Sequence, residues 1–178
     1  WHVHVVTGAA LDAFLTDITR QMAQTPRGEP GEFRVYPDGL KEPYEARRFK
    51  CGEDLYKTIG VIRDNKPGRI RQFKRNFALF GAPHVAILSS PADLGPYGAM
   101  DCGGFVTAFT LAATALGVAS IPQAAIAAYA PLVREVLDLP EDRLVLCAIS
   151  FGYADSDHPA NAFRTERATP SDIIDWKD

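Results

Sequence analysis

Apolar and polar residues alternate along His2–Thr7 and the pattern stops at Gly8, the two-residue period of a strand with one covered face. From Ala9 to about Thr25 the period lengthens. Leu11, Phe14, Leu15, Ile18 and Met22 then share one face of a helix. Residues 26–43, rich in Gly, Pro and Asp, read as loop. Two helices are predicted next, over roughly residues 44–63 and 68–80, the second following Pro67-Gly68. Gly81-Ala82-Pro83 turns the chain into a second strand, residues 84–90 (HVAILSS). A helix over residues 102–116 would take Asp101 as its N-cap and Gly117 as the residue past its end. Pro131 sits where a first-turn proline belongs, opening a helix to Leu137. Residues 143–153 (RLVLCAISFGY) form a long apolar run, as in a strand covered on both faces. The tail from residue 154 is polar, rich in turn residues and barely periodic. Strands separated by helices point to a three-layer arrangement around one sheet.

One stretch stands apart. From Cys102 to Val133 no side chain is charged, yet Gly117, Ser120, Pro122 and Pro131 interrupt the run. A membrane-spanning helix needs about 20 consecutive apolar residues, so a span is not expected. A buried small-residue helix is, followed by an irregular segment SIPQAA that is neither helix nor strand. Charge-free, irregular backbone suits a flat, partly apolar ligand.

Composition narrows the classes only a little. The 178 residues are 47% hydrophobic and 23% charged, as in an ordinary globular domain. A net charge of −3 gives no electrostatic case for nucleic acid or anionic lipid. Cys51, Cys102 and Cys147 are odd in number and lack metal-ligand spacing, so a reducing compartment is expected and no disulfide framework. No signal peptide is visible, and the first residue, Trp1, is not Met. The chain is therefore expected to be a fragment of a longer translation product, or the ordered part of one.

Familiar enzyme signatures are missing. Gly103-Gly104 is not a GxGxxG fingerprint, and neither a Walker loop nor a GxSxG elbow occurs. His2 and His4 share a strand face, but no third ligand follows at helpful spacing, and a half-exposed sheet face explains them better than a metal. Cys102 at a helix start could be a thiolate, yet no His or resolving Cys is near in sequence, and a buried small residue is the better reading. The basic stretch Arg63, Lys66, Arg69, Arg71, Lys74 and Arg75 reads as a solvated face, or as a surface steering an anionic dinucleotide. Two features remain: Arg164 and Arg167 in the tail, whose forks suit phosphate, and the backbone of residues 120–125.

Taken in order, these pieces resemble the nitroreductase family of FMN-dependent flavoproteins over essentially the whole chain. Trp1–Gly8 is similar to the end of the family's N-terminal segment, and Asn76-Phe-Ala-Leu-Phe-Gly-Ala-Pro83 to its turn into a strand. Asp101-Cys-Gly103 with Ala115-Leu-Gly117, and Pro122-Gln-Ala124, resemble the long helix and the loop beside the flavin. Leu139-Pro-Glu141, Phe151-Gly-Tyr153 and Asn161 with Arg164-Thr-Glu-Arg167 complete the series. The nitrobenzoate-reducing subgroup looks nearest.

The resemblance implies an α+β, three-layer fold, a mixed, mostly antiparallel sheet flanked by helices, in an intertwined homodimer. It implies one domain over residues 1–178 without its N-terminal arm, with residues 154–178 reaching the partner subunit. Pro122, Gln123, Ala124 and Ala125 would face the isoalloxazine, with a backbone N–H given to N5. Arg167, with Arg164, would hold the phosphate, and Trp1 would sit beside the cofactor. Chemistry would be flavin-centred, with no catalytic side chain and no metal. Hydride would enter from NADH or NADPH and leave to a small aromatic substrate, most simply a nitroaromatic, by ping-pong kinetics in the cytoplasm. Other acceptors (a quinone, an enoate, a halophenol) and a non-catalytic flavin-binding or regulatory role stay open. So does FMN retention by this chain, since the family's N-terminal arginine motif for phosphate is missing from it.

Overall fold

The computed structural model describes residues 1–35 and 39–177, so Tyr36, Pro37 and Asp38, within the loop expected over 26–43, lie outside the described residues, as does Asp178 of the tail. The chain falls into two compact units, Trp1–Pro37 with Ile70–Ala154, and Asp38–Arg69 with Asp155–Asp178.

The first unit is built on four strands, β1 (His2–Thr7), β2 (His84–Pro91), β3 (Ala119–Gln123) and β4 (Arg143–Gly152), in the order β1-β2-β4-β3. Each described pairing is antiparallel. The two central strands are covered on both faces, which explains their unbroken apolar runs. Val85 and Ile87 turn to one side with Val145 and Ala148, where Leu11, Phe14 and Ile18 of α1 (Gly8–Gln24) meet them. Ala86, Leu88 and Ile149 turn to the other, against Cys102, Phe105 and Phe109 of α4 (Gly95–Ala115). Phe14 and Ile18 are wholly buried, and burying each such side chain is worth about 1.5–3 kcal/mol. α5 (Ala130–Leu137) opens with a first-turn proline and completes the α1 side through Val133. The α+β fold in three layers is present as expected.

Several boundaries differ from the sequence reading. α4 begins at Gly95, not Cys102, so Asp101 lies inside the helix and is no cap. Pro96 takes the first-turn position, and an ideal Cβ on Gly98 would stand 2.6 Å from Ser90 Oγ. Gly98 lets the early turns press onto the end of β2, and Pro96 in the first turn is the local signal that the sequence reading passed over. The SIPQAA segment is also corrected. Residues 119–123 are the edge strand β3, and a 3-10 turn follows over Ala124–Tyr129. A proline is tolerated there because an edge strand has a side with no ladder to serve. Past α4, Gly117 adopts φ 72°, the left-handed conformation expected of it.

The second unit holds α2 (Tyr44–Thr58), the start of α3 (Lys66–Lys74) and the tail. α2 stops at Thr58 rather than near residue 63, with Gly60 left-handed at φ 72° just beyond. α3 stops at Lys74, where helix to residue 80 was expected. The chain then tightens into a 3-10 turn, Leu79–Gly81, with Leu79 and Phe80 at φ 51° and 54°. Left-handed residues with side chains cost about 1–3 kcal/mol each and persist only where surroundings hold them. Leu79 is wholly buried, which is such a hold. No helix of the described residues is long and apolar enough to cross a membrane.

Candidate functional site

The segment most suited to a flat ligand is the point where the chain leaves the sheet, Pro122 to Ala125. Successive side chains of a strand face opposite ways. Gln123 accordingly turns inward and is buried, while Pro122 and Ala124 stand exposed. The Gln123 amide is held at both ends. Its Nε2 donates to the Asn76 carbonyl at 2.7 Å, and its Oε1 accepts from the Ser150 hydroxyl. The side chain of Gln123 is thus a structural pin, and what it leaves accessible is backbone and two small side chains.

The following turn is pinned as firmly. Tyr129 is buried and donates its hydroxyl to the Thr25 carbonyl at 2.8 Å. Glu29 N donates to the Ala128 carbonyl at 2.8 Å. Its carboxylate accepts from Leu132 N and from Gln21 Nε2. Gly28, at φ 94°, passes so near that a Cβ would stand 2.9 Å from the Ala128 oxygen. Asn76, Ser150, Glu29 and Tyr129 therefore fix the exit from β3. Sequence reasoning missed all four, because each acts through a partner at least 27 residues away.

Trp1 precedes β1 at the other edge of the sheet, with β2 and β4 between it and β3. Strands lie about 4.8 Å apart, so the sheet's width separates Trp1 from Pro122 and the chain does not bring them together. Its exposed ring lies 5.8 Å from that of Phe105 on α4. The tail arginines lie in the second unit, and both are exposed. Arg164 Nη1 donates to the carbonyls of Asn161 and Phe163, and Arg167 Nη1 to Glu166 O and to Thr165. In each guanidinium one nitrogen is tied to neighbouring chain and the rest of the fork faces outward.

The other chemical candidates resolve into packing. Cys102 is buried, and desolvation raises its thiol pKa, so it is not held as a thiolate. Burial pushes Cys147 up to about 11. Cys51, Cys102 and Cys147 are free thiols. His2 and His4 stack with ring centres 4.5 Å apart, and burial, with the neighbouring His2 charge, lowers the His4 pKa. Among the described residues no group of His, Cys, Asp or Glu could hold a metal ion.

Known proteins supply the remaining information. The model described as "Nitroreductase family" matches residues 1–153. A 4-nitrobenzoate reductase from Nocardioides sp. (strain LMS-CY) is 31% identical over 169 residues, covering 94% of this chain and 68% of the relative. Nitroreductase NfnB from Mycolicibacterium smegmatis is 37% identical over 174 residues, covering 94% of this chain and 70% of its own. Among solved structures, the FMN and NADPH-dependent nitroreductase NfnB from sphigopyxis sp. strain HMH superposes with a TM-score of 0.96. It is 34% identical, and the match covers 100% of this chain and 80% of that one.

Proposed function

The chain belongs to the nitroreductase family, and from that premise we propose that it reduces a small nitroaromatic with electrons from NADPH or NADH by a ping-pong mechanism. It is an FMN-dependent oxidoreductase of the nitroreductase type, like its structural neighbours. The observation that carries the reading is the exit from β3, an accessible backbone with small side chains anchored by Gln123. A planar ring needs such a surface, and the site meets that need without any bulky group to displace.

Bound FMN supplies the redox chemistry, accepting a hydride and passing electrons on. The residues of the chain bind and orient. Pro122 has no N–H to give β4, so its polar backbone faces the open edge, and the two-residue period carries the same orientation to Ser120 and on to Ala124. The Ala124 region is thereby placed to donate a backbone N–H to the ring. Gln123 holds that donor in position. Arg167 and Arg164 offer their outward forks to the phosphate. Trp1 stands too far from β3 to serve the same site, so its contribution goes to a site completed by a second subunit.

A homodimer supplies that subunit. Beyond the exposed Asp101, the exposed side of α4 carries Gly103, Gly104, Thr107, Ala108, Leu111 and Ala115, none charged. Thr107, Thr110 and Thr114 turn their hydroxyls back onto helix carbonyls, which leaves the surface still less polar. Such a helix face fits a two-fold interface, with residues 154–178 reaching the partner. Light scattering should find a dimer at micromolar concentration. Leu111→Arg, at a position 66% exposed, should give a folded monomer. A wild-type monomer would remove the shared site. Three free thiols accord with a reducing, cytoplasmic setting.

The function is tested by colour. The purified protein should be yellow, bleach with NADPH under anaerobic conditions, and recover colour when 4-nitrobenzoate is added. A yellow protein that NADPH leaves coloured points instead to a non-catalytic flavin carrier. Arg167→Ala should weaken FMN binding by about 1.5–3 kcal/mol, with Arg167→Lys recovering only part. Equal FMN affinity in the alanine variant, measured by flavin fluorescence titration, would return Arg167 to the solvated surface.

A further inference from the structure

The second unit contains a cavity of about 400 Å³ between α2 and the start of α3, lined wholly by residues of that unit. That is the size of a small-molecule site. Arg48, Arg63, Lys66 and Arg69 line it against a single carboxylate, Glu53, so its walls carry an excess of three positive charges. Arg69 is already engaged. Its Nη1 donates to Glu53 Oε1 at 3.0 Å, and its guanidinium lies 4.1 Å over the Tyr56 ring. That pair accounts for the one carboxylate. Neither Arg63 nor Lys66 makes an ion pair with a described carboxylate. Arg63 instead lies 4.8 Å over the Phe49 ring. Stacking holds the plane of the guanidinium and leaves its N–H fork for a bidentate acceptor.

Two features of the flanking helices have no explanation in the packing of the fold. Gly52 lies within α2 and lines the cavity. Glycine weakens a helix interior relative to alanine. Yet an ideal Cβ on Gly52 meets no atom within 4 Å, so no neighbour requires the glycine. The space that a side chain would take there is the cavity itself. The first turn of α3 holds no acidic residue, and Lys66 and Arg69 stand in it against the helix dipole. An anion lodged between the two helices would offset both the dipole and the mutual repulsion of the cations.

We propose that this cavity binds a diphosphate group, which ties α2 to the start of α3. The fork of Arg63 suits a pair of phosphate oxygens, and Lys66 adds a point charge. A single phosphomonoester carries about −1.5 to −2 charge at neutral pH, short of the excess on the walls, whereas two linked phosphates meet it. The group is either the free inorganic ion or the end of a small molecule. The site lies within the second unit alone and stands whether or not the chain reduces nitroarenes.

Calorimetry and thermal unfolding of the full chain, without added donor, test this on four proteins. These are the wild type, Arg63→Gln/Lys66→Gln, Gly52→Leu, and Lys57→Ala, whose lysine is exposed and outside the cavity. Inorganic diphosphate should bind the wild type and Lys57→Ala alike and raise the Tm of both. Orthophosphate and sulfate should each bind about tenfold more weakly, because each reaches fewer of the cations. The double variant should lose about tenfold in diphosphate affinity. Without diphosphate it should unfold no lower than the wild type, since it gives up no ion pair. Gly52→Leu puts a better helix former into α2, so it should fold, and it should bind diphosphate as poorly as the double variant. Uridine diphosphate separates the two sources. Tighter binding than the inorganic ion supports the end of a small molecule, and equal or weaker binding supports the free ion. Diphosphate bound no tighter than sulfate would make this a general cationic surface and overturn the proposal. Binding retained in the double variant or in folded Gly52→Leu, or no binding by the wild type, would also overturn it.

Discussion

Ala124→Phe should give a folded protein that has lost its flavin. Ala124 is exposed at the end of the edge strand and closes no core contact, so the apo fold has room for a larger side chain. On the proposed reading the bound state does not, because the ring would lie against that backbone. Forcing a large group into a packed site costs about 1–3 kcal/mol and sometimes more. Added to the displaced N–H donor, that is enough to strip a cofactor during gel filtration. Ala9→Phe is the control: Ala9 is also exposed, on α1. The flavin-to-protein ratio, read beside circular dichroism, should fall to near zero in the first variant and stay at the wild-type value in the second. A folded Ala124→Phe protein with full flavin and full reductase activity would make the end of β3 ordinary surface.

Gln123→Leu should act on stability first and on flavin second. The substitution keeps volume but strands two polar groups, the Asn76 carbonyl and the Ser150 hydroxyl, both bonded to the amide in the wild type. Leaving a buried polar group unpaired costs about 1–3 kcal/mol, so the pair should cost about 2–4 kcal/mol. In a domain of this size each kcal/mol moves Tm by about 2–4 °C. Thermal unfolding of the apo proteins should therefore show a drop on the order of 5–15 °C. An unchanged Tm would mean that the amide is not the pin of this turn, and the preorganisation argued for the Ala124 donor would go with it.

The two substitutions fall on neighbouring residues whose roles the sequence could not separate. Pro122-Gln-Ala124 was legible as a unit, from order along the chain and from the absence of charge. Which of its side chains faces in was not. That depends on residues 119–123 being a strand, and the strand exists because β4 offers Ala148–Gly152 as its ladder. Local composition, with a proline and two small residues, argued against a strand. Pairing with a distant segment overrode it, as context does for strands generally. The early start of α4 had a local signal in Pro96 at its first turn, hidden among Gly95 and Gly98, the latter small because Ser90 packs on it. Where the fold was read well, the cause was local. The stripe of Leu11, Phe14 and Ile18 buries as its period requires, and the long apolar run of β4 is covered on both faces.

The basic stretch shows the same limit at the level of chemistry. As a sequence it was a run of cations with two meanings. In the structure it divides. Arg63, Lys66 and Arg69 line one cavity in the second unit, whereas Arg71, Lys74 and Arg75 belong to the first.

By itself the sequence determined the elements whose periods are local: strands at β1, β2 and β4, the apolar stripe of α1, the proline opening of α5, and a charge-free segment suited to a flat ligand. It also carried the ordered series of short motifs that marks the family. Tertiary structure alone decided that SIPQAA begins as an edge strand, that the Gln123 side chain is held by Asn76 and Ser150, that Trp1 and β3 lie on opposite edges, and that three cations of the basic stretch line one pocket. The reason is physical: hydrophobic period is written in neighbours three or four residues apart, whereas hydrogen-bond partners such as Asn76 and Ser150 are chosen across the chain and leave no trace in spacing.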